Sequence, residues 1–368
     1  MRSTQDLHEF IERRLAAPLA TLEQRRLEQV ARYNLIKAAI IGGALLLSLV
    51  SIVLMFIWTS SGCSCFFPFV FAFLAYYGVA TAKNTVFGGS FRDDFKREVI
   101  SPLVQFIDPS LVYQPNGRIA IEDFNRSGIF QIVPSDYQGE DLIRGRIGQT
   151  RFEVCELKAS NVVQTPNRKN GNITSAQTVL IHKGLYFVAD FHRPLQGFTI
   201  LLPRRAPIGD GLPTTRAQLT QAMFAPWLAR LSVHQPLVEV LLGIPEFDAQ
   251  FQIYSTRESE ALLVLTPGLV ERVLQFRRGQ APKERTSAIA AAVDELEGTS
   301  GDNAVHISFV GSKFYFARRY HQDLFEPDPF RPFTQSAHIE VFFEDLQFAL
   351  GVVDELNVNA LATPPGAF

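Results

Sequence analysis

Residues 38–82, AAIIGGALLLSLVSIVLMFIWTSSGCSCFFPFVFAFLAYYGVATA, carry no charged side chain, and the way this run divides decides the fold. An α-helix rises about 1.5 Å per residue and a hydrocarbon core is about 30 Å thick, so roughly 20 apolar residues cross it. One straight helix through the whole run would be about 67 Å long, more than tilt absorbs. Thr59, Ser60, Ser61 and Gly62 form a polar break, and the pieces on either side, 38–58 and 64–82, are each long enough to span alone. Trp58 stands where interfacial aromatics gather, and Pro68 falls in the first turns of the second piece, where a missing N–H costs least. The stretch therefore predicts a two-helix transmembrane hairpin.

Charge sets its orientation. Arg2, Arg13, Arg14, Arg25, Arg26, Arg32 and Lys37 precede the run, Lys83, Arg92, Lys96 and Arg97 follow it, and the break carries no charge. The positive-inside rule then places both flanks, with the N- and C-termini, in the cytoplasm of an inner membrane crossed twice. A cleaved signal peptide would begin near the N-terminus, whereas 37 mostly polar residues come first. A lipid-modified Cys63 is disfavoured because Ser60 stands where the motif wants an aliphatic residue. Ala39, Gly42, Gly43, Ala44 and Ser48 on the first span, with Gly78 and Ala82 on the second, are small residues expected to pack the hairpin against itself.

The remaining chain is read as an α+β protein. Residues 1–37 form N-terminal helices with a break at Pro18. Residues 83–110 form a juxtamembrane helix opened by Gly88, Gly89 and Ser90 and expected to pack against the N-terminal helices. A first strand-rich part covers 111–235, with RIAIEDF, SGIFQIV, DLIRGRIG, RFEVCELKA, TVLIHKGLYFVADF and FTILLP as strands of a mainly antiparallel sheet. A hairpin turns near Gly148 and Gln149, while 161–176 and 204–221 read as loops.

A second α+β part covers 236–358. It contains a strand EFDAQFQIYS, a capping box from Ser255 to Glu258, an N-cap at Thr266 with Pro267 behind it, and a hairpin AVHISFVGSKFYFARRY turning at Gly311 and Ser312. It closes on a C-terminal helix with an apolar stripe of Ile339, Phe342, Phe343, Leu346, Leu350 and Val353, followed by a tail over 359–368. LYFVADFHRPL (185–195) and FYFARRYHQDL (314–324) share residues at four of eleven positions, an echo that chance similarity of aromatic strands also explains.

The composition narrows the function. A formal charge of −2 over 368 residues does not suit a nucleic-acid binder. Three cysteines, Cys63, Cys65 and Cys155, make no disulfide framework. Glycine-rich phosphate loops, a nucleophile elbow, H-E-x-x-H and paired C-x-x-C motifs are all missing from the sequence, and no cofactor is expected.

Three residues of equal strand parity, His182, Asp190 and His192, can face one way and hold a metal or move protons; ordinary surface hydrogen bonds at a strand end are the simpler account of Asp190 and His192. Tyr137, Glu140, Asp141, Arg144 and Arg146 group as a polar rim for a partner, or as a charged turn. Cys155 lies between Glu153 and Glu156, which disfavour its thiolate, so a packed thiol is expected.

LEQRRLEQVARY, the apolar hairpin, YQGEDLIRGRIGQTRFEVCEL, HKGLYFVADFHRPLQGFTILLP and EFDAQFQIYSTRESEALLVLTPGLVERVLQF follow one another over roughly residues 10–330 in an order that resembles bacterial membrane proteins of domain-of-unknown-function family 3137. The resemblance implies this membrane layout and a membrane-protein partner of LemA type, and it brings no catalytic residues. The expectation is a non-enzymatic module, anchored in the lipid bilayer, that binds another membrane protein or its own copies. The alternative is an enzyme acting on a lipid or envelope precursor through His182, Asp190 and His192.

Overall fold

The computed structural model describes residues 2–57, 67–87, 90–166, 173–190, 194–204, 224–229, 234–279, 305–320, 325, 326, 329, 330, 332 and 337–361. The chain divides into two compact units. One is helical, Arg2–Phe106 with Phe325–Glu340, and the other is built on a sheet, Ile107–Leu324 with Val341–Phe368.

The helical unit begins with α1 (Thr4–Phe10), a π-helical turn (Ile11–Leu15) and α2 (Ala16–Ile57). It continues with α3 (Phe67–Val86), α4 (Ser90–Phe95), a second π-helical turn (Lys96–Ile100) and α5 (Ser101–Ile107). Ser3 caps α1 in a reciprocal box with Asp6. The expected break at Pro18 does not occur. A proline ring clashes with the carbonyl four residues back, and for Pro18 that is Arg14, inside the first π turn; for Pro102 it is Glu98, inside the second. Each widened turn lets the helix continue through its proline.

Partners along this unit run in opposite senses. Phe10 stacks on Phe106 at 4.2 Å, Arg25 bonds Asp94 at 2.9 Å, the Tyr33 ring lies 5.5 Å from Phe87, and Gly78 faces the Ile40 side chain. The N-terminal and juxtamembrane helices therefore pack together, and α2 and α3 lie antiparallel. Gly78 makes the close approach, whereas Gly42 and Gly43 face open space and do not pack the pair. The polar break with Cys63 and Cys65, and the hinge at Gly88 and Gly89, lie outside the described residues.

In the sheet unit, nine described strands form one sheet in the order β1-β2-β3-β4-β9-β8-β5-β7-β6. They are β1 (Val112–Gln114), β2 (Asp136–Ile147), β3 (Thr150–Pro166), β4 (Ile173–Asp190), β5 (Phe198–Pro203), β6 (Val238–Val240), β7 (Phe251–Ser255), β8 (Val305–Val310) and β9 (Lys313–Arg319). Every neighbouring pair is antiparallel. Gly148 and Gly311, both at φ 58°, make the β2–β3 and β8–β9 turns that the sequence placed there. The two strand-rich parts interleave in this one sheet: β4 pairs with β9, and β5 lies between β8 and β7. Phe187 and Phe316, matched in the internal echo, are cross-strand partners in the β4–β9 pair.

Several short elements differ from expectation. RIAIEDF is not a strand: after an extended Ala120 the chain forms α6 (Ile121–Arg126), whose Glu122 and Asp123 suit a helix N-terminus. SGIFQIV is irregular, turning at Gly128 with φ 67°. In EFDAQFQIYS, Pro245 at N1 starts α8 (Pro245–Gln250), following α7 (224–229), and only β7 is extended. Ser255 stays in β7 and bonds the Arg257 N–H at 3.0 Å, so Arg257 is the N-cap of α9 (Glu258–Val264) and no capping box forms. Thr266 and Pro267 open α10 (Pro267–Gly279) as read, with the Leu269 N–H on Thr266 Oγ1 at 3.3 Å. The described parts of 161–176 extend β3 and β4 and are not loop. α11 (Ala337–Leu361) is the expected C-terminal helix.

Strand alternation builds two cores. On one face, Cys155, Leu157, Tyr186, Val188, Tyr315 and Ala317 pack beneath Ile119 and Phe124, and Phe198, Ile200 and Tyr254 beneath Phe224 and Trp227. On the opposite face a chain of rings crosses the sheet from Phe152 through Phe187 and Phe314 to Phe309. There Phe316 meets Phe276 of α10 and Phe348 of α11.

Candidate functional site

In the helical unit the chemistry is a large uncovered apolar surface. Leu45, Leu46 and Leu49 on α2 are 61–66 % exposed, and Phe69, Phe73 and Tyr76 on α3 are 67–76 % exposed. Among the described residues one helix, Thr4–Val53, is long and apolar enough to cross a membrane, and its apolar stretch is not buried within the protein. Such contiguous exposure marks a surface that meets lipid or another apolar partner.

Phe325–Glu340 reaches the same unit below that stretch. Phe330 stands 5.7 Å from the Tyr33 ring and 5.3 Å from Phe87, with the Lys83 ammonium 5.5 Å above its face. Arg26 donates to the Pro329 carbonyl at 3.0 Å and Arg92 pairs with Glu326 at 2.5 Å.

Beneath the helix-covered face of the sheet lies a buried ionic cluster. Arg318 of β9 and Asp345 of α11 are each 1 % exposed and form an ion pair, while the Tyr320 hydroxyl donates to the other carboxylate oxygen. The guanidinium lies over the Phe276 ring at 4.9 Å and the Tyr320 ring at 4.5 Å. Burial pushes the Asp345 carboxyl up to about 6 against the opposing pull of Arg318. Neither residue belongs to a motif, although each leaves a signal in the sequence. Arg318 shares strand parity with Phe314 and Phe316, and Asp345 falls inside the apolar stripe of its helix.

The opposite face holds the sequence candidates. His182 is 1 % exposed, its ring 5.1 Å from Phe130, and its Nε2 has no hydrogen-bond partner. Burial, with Arg319 and His306 nearby, lowers its pKa to about 3, so the imidazole is neutral. Asp190 stands eight residues further along β4, on the order of 26 Å at the usual strand rise. His192 lies outside the described residues. The two described members of the set are therefore not brought together. No cluster of three metal-type ligands occurs among the described residues.

The polar group on β2 divides, with Asp141 buried, Tyr137 and Glu140 half-buried, and Arg144 and Arg146 exposed. The Tyr137 hydroxyl donates to the Ile119 carbonyl at 3.0 Å. Asp141, at φ 61° in the β2 bulge, is buried and accepts the Tyr113 hydroxyl, and its N–H donates to the Pro115 carbonyl at 2.8 Å. Glu140 is half-buried. Arg144 pairs with Glu153 at 2.7 Å, and Arg146 donates to the Gly148 carbonyl. Cys155 is fully buried and accepts the Ile119 N–H at 3.4 Å, and burial raises its thiol pKa, as suits a packed thiol.

Comparison with known proteins adds a family and little else. No curated protein matches the chain. Among solved structures, the mycobacterial trehalose monomycolate transport factor A, TtfA, is similar at 11 % identity over 73 % of this chain and 93 % of that one, with a TM-score of 0.30, too low to carry an argument. A family model described as a protein of unknown function (DUF3137) matches residues 180–283 and 285–358. Those residues hold most of β4, β5 to β9 and α7 to α11, including Arg318 and Asp345, while the resembling segments before residue 180 fall outside them. Residues 180–358 of this chain thus match the DUF3137 family of proteins of unknown function.

Proposed function

We propose that the protein is anchored in the bacterial inner membrane by a hairpin of α2 and α3, with both termini in the cytoplasm. The sheet unit is then an interaction module that binds another membrane protein, of LemA type, or further copies of the chain. The exposed apolar surface on both antiparallel helices carries this reading, bounded by Lys37 and Lys83 at the ends of the uncharged run. An apolar belt on two neighbouring helices with cations at one end suits lipid on all sides and anionic headgroups at the cytoplasmic surface.

The sheet unit offers edges for a partner. Both outermost described strands, β1 and β6, are three residues long, and Val112, Val238 and Leu241 are exposed at them. An extended segment can add to such an edge through backbone hydrogen bonds.

Extraction of cell membranes tests the anchor and the module together. The protein should stay in the membrane pellet through alkaline carbonate, dissolve in mild detergent, and purify as an oligomer or with a second membrane protein. Release by carbonate would overturn the anchor, and a strictly monomeric, partner-free detergent complex would overturn the interaction module.

A further inference from the structure

We propose that Phe330 is a third membrane contact of the chain, seated with Lys83 in the phospholipid headgroup layer on the cytoplasmic side, an inference that rests on the membrane-anchored reading above. Phe330 belongs to neither anchoring helix. The chain leaves the sheet unit after Leu324, joins the helical unit over Phe325–Glu340 and then returns. Within that excursion Phe325 is fully buried, whereas Phe330 keeps 46 % of its surface exposed although it packs against two other rings.

The height of the ring follows from its neighbours. Tyr33 precedes the uncharged run 38–82 by five residues and Phe87 follows it by five. The Phe87 N–H still bonds the Lys83 carbonyl at 3.0 Å, which continues the helical turn to that residue. Five residues of helix carry each ring about 7–8 Å beyond the hydrocarbon, and the polar layer of a bilayer is roughly 5–8 Å deep on each side. Phe330 completes a triangle with these two rings, 5.7 Å from Tyr33 and 5.3 Å from Phe87, and so stands at headgroup level.

The surroundings at this height are apolar and positive. Leu35 is 72 % and Ile36 39 % exposed on α2, and the Lys83 ammonium stands 5.5 Å over the Phe330 ring. Residues 31–37 and 83–87 contain Arg32, Lys37 and Lys83 and no Asp or Glu. Exposed aliphatic and aromatic side chains beside cations match the boundary between acyl chains and phosphates. At this level the surface already present is the bilayer around α2 and α3. Lipid at Phe330 then holds the excursion that links β9 to α11.

Tryptophan fluorescence of the full chain in nanodiscs of phosphatidylcholine and phosphatidylglycerol tests the proposal. The discs carry a nitroxide quencher either on the lipid headgroup or midway along the acyl chain. Emission of Phe330→Trp above that of the wild type, which has two tryptophans of its own, reports position 330. Phe73→Trp, at an exposed ring within the second span, reports the anchor in the same way. The headgroup label should quench the excess emission of Phe330→Trp several-fold more than the mid-chain label does, and the order should reverse for Phe73→Trp.

Quenching at Phe73→Trp with none at Phe330→Trp would overturn the lipid contact and leave the anchor standing. Phe73→Trp unquenched by either label would overturn the anchor and the contact with it. Should Phe330→Trp fail to incorporate where Phe73→Trp succeeds, Phe330→Cys bearing a spin label, with Cys63→Ser and Cys65→Ser, decides the matter. Faster spin relaxation on adding a nickel-chelating lipid would support the contact, and unchanged relaxation would reject it.

Discussion

Arg318 and Asp345, 27 residues apart in the chain, form an ion pair that joins the sheet to the C-terminal helix with both side chains sealed from water. Removing water from two charges is expensive, and their attraction repays it only while both are present. Arg318→Met or Asp345→Leu alone should therefore destabilise the sheet unit by about 3–5 kcal/mol, because each leaves an uncompensated buried charge. The double variant should recover most of that loss. Denaturant unfolding of the two single variants and the double variant measures this as a coupling energy.

The same carboxylate and His182 give opposite pH dependences. The folded-state pKa of His182 is lowered to about 3 from 6.5, so the unfolded chain binds the extra proton and stability falls as pH drops from 6.5 toward 3. The folded-state pKa of Asp345 is raised to about 6 from 3.8, so the folded chain binds the proton and stability falls as pH rises from 3.8 toward 6. Each slope is about 1.4 kcal/mol per pH unit at full strength, and between pH 4.5 and 6 the two largely cancel. His182→Phe should make the protein progressively less stable as pH rises through this window relative to wild type. Asp345→Asn should do the reverse. Unfolding midpoints at four pH values would separate them, and parallel profiles for wild type and both variants would contradict the assignment.

Gly184 holds β4 against β9 at φ 142°, and a Cβ there would lie 2.2 Å from the Arg318 carbonyl oxygen. Backbone cannot step aside as a side chain can, so Gly184→Ala should cost more than about 2 kcal/mol. Gly311→Ala, in a turn with open space around the glycine, should cost only the backbone strain, about 1 kcal/mol. Thermal unfolding of the two variants orders them.

Phe330, between Tyr33 and Phe87, secures Phe325–Glu340 to the helical unit, together with Arg26 and Arg92. Phe330→Ala removes both ring contacts at a half-exposed site. It should raise proteolytic cleavage near residue 330 several-fold with little change in global stability. Cleavage at the wild-type rate would show that the polar contacts alone hold the segment.

Local chemistry was the legible part of this protein. Glycines at Gly148 and Gly311 announced their turns, Thr266 and Pro267 announced α10, and the apolar stripe announced α11. Elements whose form depends on distant partners were not legible. RIAIEDF has the β-branched texture of a strand, yet Phe124 is drawn into a ring cluster with Tyr137 and Tyr186 and the segment becomes helix. Pro18 reads as a breaker because a π turn four residues earlier leaves no sequence mark. The merger of two strand-rich parts rests on three long-range pairings, β4 with β9 and β5 with both β7 and β8. Of the candidate sites, His182 has the pattern of a metal ligand or proton carrier sharing a strand face with Asp190, and proves to be a buried imidazole far from it. The Arg318–Asp345 pair is not legible in the sequence because a charge on an apolar face shows its meaning only beside its partner.

The account stands on a chain that enters the bilayer at α2 and returns through α3. A fusion of alkaline phosphatase or green fluorescent protein after Phe368 tests that return most directly. The account predicts a fluorescent, phosphatase-inactive chain, with the C-terminus in the cytoplasm. An active phosphatase and a dark fluorescent protein would place the C-terminus across the membrane and contradict the two-span anchor.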